Sequence, residues 1–146
     1  MIVKQILAMK SGPDEIVTIR PDTTVAEAAR LLSERRIGAV VVSSDGRKAE
    51  GILSERDIVR ELGRSGAEVL ERTASEMMTR KVSTCVCADD ALEVLERMTQ
   101  GRFRHLPVVD EDGRMIGIVS IGDAVSGRLK ELAAENEALE GMIMGA

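Results

Sequence analysis

Aromatic side chains are almost absent from this chain of 146 residues: Phe103 stands alone, with no Trp and no Tyr. That removes the platforms on which single-stranded nucleic acids stack. Excess basic charge is missing as well. The formal net charge is −5, which does not suit a surface that neutralises DNA phosphates. Cysteine is scarce, with Cys85 and Cys87 two residues apart. On a strand such a pair shares one face, where a disulfide between them would be strained. They read as small buried hydrophobes of a reducing compartment. With His105 the single histidine and no Cys-x-x-Cys pair, no metal site is expected. No apolar run reaches the length of a bilayer span. The first residues, Met1 to Leu7, are interrupted by Lys4 and do not read as a signal peptide. The expectation is a soluble, cytoplasmic protein with neither nucleic-acid nor membrane partners.

What is present suffices for a globular core. Hydrophobic residues make up 44% and charged residues 31% of the chain, so the core is expected from Val, Ile, Leu, Ala and Met. Residues 16–19 read as a short strand stopped by Pro21. Thr24 and Glu27 have capping-box spacing ahead of a helical run through Val25, Ala28, Leu31 and Leu32. Ala39–Val42 is a β-branched strand, Ser44-Asp45-Gly46 a turn, and Ala49–Leu53 the partner strand. Ser54 opens a further helix carrying Ile58, Val59 and Leu62.

The same order recurs 66 residues later. The offset carries Ile16 to Val82, Glu27 to Glu93, Val42 to Val108, Gly51-Ile52 to Gly117-Ile118, Ser54 to Ser120 and Asp57 to Asp123. Short helical segments precede each half, Val3–Leu7 and Ala74–Met78, at a spacing of 71. The division expected is 1–65 for the first repeat, 66–128 for linker and second repeat, and 129–146 for a C-terminal helical extension. In that extension Leu129, Leu132, Asn136, Leu139 and Ile143 form a short a/d seam. It suits either a tail packed on its own domain or a helix that assists dimerisation.

Both Gly51-Ile-Leu-Ser-Glu-Arg-Asp57 and Gly117-Ile-Val-Ser-Ile-Gly-Asp123 end a strand in Ser-x-x-Asp at a helix start. Helix capping alone accounts for such a pair. The same geometry suits a nucleotide: free amides and a hydroxyl for phosphate, a carboxylate acceptor for ribose hydroxyls. Arg56, Arg104 and His105 are nearby candidates to offset the carboxylate. For His105 a buried, hydrogen-bonded histidine is the competing reading.

These segments, with Ile37-Gly-Ala-Val-Val-Val42 and Phe103-Arg-His-Leu-Pro-Val-Val-Asp110, resemble a pair of cystathionine-β-synthase (CBS) domains, the Bateman module. The resemblance spans essentially residues 1–128. It implies an α+β fold of two pseudo-symmetric β-α-β-β-α repeats with a C-terminal helix. It further implies a stand-alone regulatory module binding AMP, ADP, ATP, NAD or S-adenosylmethionine in two clefts between the repeats. A homodimer and an unidentified regulated protein are the implied partners. Carried over residue by residue, one cleft joins Ser54, Arg56 and Asp57 to Ser83, Phe103, Arg104 and His105. The other joins Ser120 and Asp123 to Val17, Ile37, Gly38 and Ala39. Ile52 and Ile118 line the adenine slots. Gly38 and Ala39 stand where the second half has Arg104 and His105, and Gly122 stands for Arg56, so the Asp57 cleft is expected to bind phosphorylated ligand more tightly. A structural adaptor with empty clefts is the alternative. Catalysis is not expected, and no catalytic cofactor: Asp89-Asp90 and Glu111-Asp112 are explained by capping and turn solvation.

Overall fold

The computed structural model describes residues 1–10 and 16–144. Residues 11–15 of the expected first repeat and 145–146 of the expected extension lie outside them. The order is α1 (Val3–Met9), β1 (Thr18–Ile19), α2 (Val25–Arg35), β2 (Ala39–Val42), β3 (Gly51–Ser54) and α3 (Glu55–Ser65). A 3-10 turn (Ala67–Glu71) leads to α4 (Ala74–Met77), α5 (Ala91–Gly101), β4 (His105–Val109), β5 (Met115–Ser120) and α6 (Ile121–Met144). This is an α+β fold of two repeats, with the last helix running on beyond the second.

The strand registers obey the 66-residue offset. Antiparallel β2–β3 pairs Ala39 with Ser54 and Val42 with Gly51, and β4–β5 pairs His105 with Ser120 and Val108 with Gly117. Parallel pairing of Ile19 with Val42 has its counterpart in Cys85 with Val108. The counterpart is a single bridge rather than a strand, which departs from the strand expected near Val82. Pro107 explains it. In the first half the Val41 amide donates to the Val17 carbonyl at 3.2 Å, but Pro107 stands at the equivalent place and has no N–H to give.

The short helices change places. Val3 and Ile6 of α1 are buried with Val94, Met98, Leu106 and Val119 of the second half. Ala74 of α4 is buried with Val25, Val40 and Leu53 of the first. Backbone bonds hold each helix there: the Val3 amide to the Asp89 carbonyl at 2.8 Å, and the Ala74 amide to the Thr23 carbonyl at 2.7 Å. Each preceding helix therefore completes the core of the other half. Leu7 and Met78 close over Gly117 and Gly51, where a Cβ would meet them at 3.0 and 2.3 Å. These crossings lock the halves face to face.

Beyond Glu131, α6 leaves Leu132, Leu139 and Ile143 exposed. The tail is not packed on its own domain along this stretch. Among the described residues no helix is long and apolar enough to cross a membrane.

Candidate binding cavity between the repeats

Both Ser-x-x-Asp segments form the capping geometry their spacing implies. The Ser54 amide and hydroxyl donate to Asp57 Oδ2, both at 2.9 Å, and the Asp57 amide returns a bond to Ser54 Oγ at 3.3 Å. Ser120 and Asp123 repeat the two amide bonds at 2.9 and 3.1 Å. Capping explains why a carboxylate stands there. It does not explain the surroundings of Asp57, which is 8% exposed and opens on a cavity of about 400 Å³.

That cavity draws its wall from both halves. Ile52, Ser54, Arg56 and Asp57 come from β3 and α3, Ser83, Phe103 and Arg104 from the segments preceding α5 and β4, and His105 from the start of β4. The seven residues assigned from sequence to the first cleft, together with Ile52, thus lie on one cavity. Gly38, assigned to the second cleft, lies on this wall too. It is placed there by proximity to His105, whose Cε1 is 3.3 Å from the position of a Cβ at Gly38.

The other residues assigned to the second cleft are not on that wall. Ala39 is buried in β2 opposite Ser54. Val17 and Ile37 pack on the first core. Asp123 is joined instead by a residue the sequence did not suggest: Lys10 Nζ lies 3.2 Å from its Oδ2 and donates to the Ile118 carbonyl at 2.9 Å. Lys10 arrives at the end of α1, so only the exchange of short helices brings it there.

Sequence reading also missed Arg60, Lys81 and Arg102 on the first cavity. Arg60 follows Asp57 by one helical step and bonds its Oδ1 at 3.0 Å, a spacing visible in the sequence. Arg102 is held at the end of α5 in the left-handed region, with φ 57°. Together Arg56, Arg60, Lys81, Arg102 and Arg104 face the two carboxylates Glu55 and Asp57. Burial pushes the His105 pKa below its ordinary value, so the imidazole adds no charge at neutral pH. The wall is therefore positive by three charges in a chain whose formal net charge is −5. Ile52, Val82 and Phe103 supply apolar surface beside them. An apolar slot with a cationic rim suits a flat, anionic ligand. Among the described residues, no group of His, Cys, Asp and Glu could hold a metal ion.

Known proteins share this architecture. The CBS domain model matches residues 3–64 and again 74–129. A CBS domain-containing protein of Arabidopsis thaliana is 35% identical over 127 residues, 84% of this chain and 23% of its own length. The chain spans about a quarter of the length of several such plant relatives. A CBS-domain containing protein from Agrobacterium tumefaciens superposes with TM-score 0.81 at 43% identity, covering 88% of this chain and 99% of that one. A CBS domain protein from Pyrobaculum aerophilum, solved with AMP, superposes with TM-score 0.71 at 25% identity, covering 84% and 89%. A CBS domain pair solved with 5′-methylthioadenosine and S-adenosyl-L-methionine superposes with TM-score 0.73 at 28% identity, covering 90% and 96%. Two matched repeats, in one register and locked by exchanged helices, place this chain in the CBS-domain family as a tandem pair, a Bateman module.

Proposed function

We propose that this CBS pair senses an anionic adenine nucleotide in the cavity between its repeats. CBS pairs are regulatory rather than catalytic modules. The observation that carries the reading is the charge of the wall: five cations and two carboxylates around apolar Ile52, Val82 and Phe103. Adenine fits the apolar side and phosphate the cationic rim, reinforced by the positive end of the α3 dipole. Asp57 accepts from ribose hydroxyls. Structures of similar pairs solved with AMP, 5′-methylthioadenosine or S-adenosyl-L-methionine support an adenosyl ligand. The positive wall favours the phosphorylated members over the sulfonium. A ligand touching both halves shifts their arrangement by its differential affinity for the arrangements available, and that shift is the signal passed to a regulated protein.

Thermal shift against AMP, ADP, ATP, NAD and S-adenosylmethionine tests this. Stabilisation rising with the logarithm of nucleotide concentration is expected. No shift with any of them supports an adaptor without ligand instead. The exposed Leu129, Leu132, Leu139 and Ile143 of α6 support pairing into a homodimer. Sedimentation of the chain and of Leu132→Glu/Leu139→Glu tests it: a dimer that the variant converts to monomer is expected, and a monomeric wild type contradicts it.

A further inference from the structure

The two Ser-x-x-Asp sites have the same backbone and opposite occupants. At the first, Asp57 faces the cavity. At the second, Asp123 faces an ammonium of its own chain. Lys10 Nζ makes two directed bonds there, 3.2 Å to Asp123 Oδ2 and 2.9 Å to the Ile118 carbonyl. Asp123 and Ile118 are the 66-residue counterparts of Asp57 and Ile52, both of which line the first cavity. Lys10 has its own counterpart, 71 residues on: Lys81, which like Lys10 stands seven residues after the start of its short helix. Lys81 lines the first cavity and has no ion-pair partner among the described residues. One lysine of the symmetric pair therefore lines the cavity, and the other is bonded to the carboxylate of its site.

From this contrast we infer that Lys10 is a built-in occupant of the second site, so that each chain takes one adenosyl ligand rather than two. The inference rests on the nucleotide reading of the first cavity. A ribose hydroxyl reaching Asp123 competes with the Lys10 ammonium at Oδ2. To admit it, a half-buried ammonium and a half-buried carboxylate (31% and 24% exposed) must separate. Breaking such a pair leaves each partner poorly compensated; at Asp57 the paired cation, Arg60, is an exposed side chain on Oδ1 that itself forms part of the cavity wall, so a ligand there need not displace it. Lys10 thus decides stoichiometry, and its role is opposite to that of a phosphate-binding lysine.

The test is calorimetric titration of AMP, ATP and S-adenosylmethionine, separately, into wild type, Lys10→Met, Lys10→Arg and Lys10→Met/Asp123→Asn. Expected are one ligand per wild-type and Lys10→Arg chain, two per Lys10→Met chain, and one again in the double variant. Two ligands on the wild type overturn the inference and leave the nucleotide reading standing. One ligand on Lys10→Met, or a weaker single site there, also overturns it. Failure of all three compounds to bind both wild type and Lys10→Met sinks the nucleotide reading and this inference with it. Amine acylation followed by mass spectrometry checks the contact without any ligand. Lys10 should react more slowly than exposed Lys130 and be accelerated by Asp123→Asn; equal rates contradict the ion pair.

Discussion

Arg36 and Arg102, 66 residues apart, end their helices in the same left-handed conformation, with φ 54° and 57°. The conformation is unfavourable for a residue with a Cβ and costs on the order of 1 kcal/mol or more. Arg102 lines the cavity between the repeats; Arg36 is not on that wall. Glycine at either position should therefore stabilise the fold by about 1 kcal/mol, read from chemical denaturation. Arg102→Gly should also weaken ATP binding about tenfold, or ~1.4 kcal/mol, while Arg36→Gly leaves it unchanged. Equal effects of the two variants on ATP would contradict the placement of the ligand.

Phe103 covers Gly101 so closely that a Cβ there would meet ring atom Cε1 at 2.0 Å. Gly101→Ala must move the ring, which forms part of the cavity wall. A loss of about 1–3 kcal/mol is expected from overpacking, together with weaker nucleotide binding. Unchanged affinity in this variant would show that Phe103 does not contact the ligand.

His105 titrates against its surroundings. Burial is the largest influence and lowers its pKa; Asp123 and Glu55 pull it up, and Lys10 and Arg104 push it down. The unfolded chain then takes up the proton before the folded one does. Stability is highest with His105 neutral, falls as pH drops below the ordinary value of 6.5 toward the depressed one, and levels off beyond it. The urea midpoint of the wild type should fall more between about pH 7.5 and about pH 5.5 than that of His105→Gln. Parallel pH profiles would contradict the assignment.

The exchange of short helices makes an unusual mutational prediction. Ile6 precedes the first repeat in sequence but is buried in the second core. Ile6→Ala should cost about 2–5 kcal/mol. In hydrogen exchange the added opening should appear first at Val94, Leu106 and Val119, ahead of Val25, Val40 and Leu53. The reverse order would contradict the exchange.

How far the fold could be read from sequence depended on whether the signal was local. Runs such as Ala39–Val42 and the Thr24/Glu27 capping box carry their own periodicity and end signals, and the observed elements follow them. The registers followed because the 66-residue offset holds without a gap through both hairpins. The reduced first strand of the second half traces to the missing donor of Pro107, a signal present but weak beside the repeat. Lys10 was invisible for a different reason. Its role depends on which half α1 packs against, and the apolar pattern of Val3 and Ile6 is satisfied equally well by either core. The same non-local step hid Lys81, and it also hid the place of Gly38 on the first cavity beside His105.

Hydrogen exchange with and without saturating ATP tests the central claim most directly. A nucleotide lodged between the repeats should protect two segments far apart in sequence, residues 52–60 and residues 101–105, at once. Joint protection of both, lost together in Asp57→Ala, is the predicted result. Protection confined to one half, or none under ATP saturation, would contradict a ligand held between the repeats.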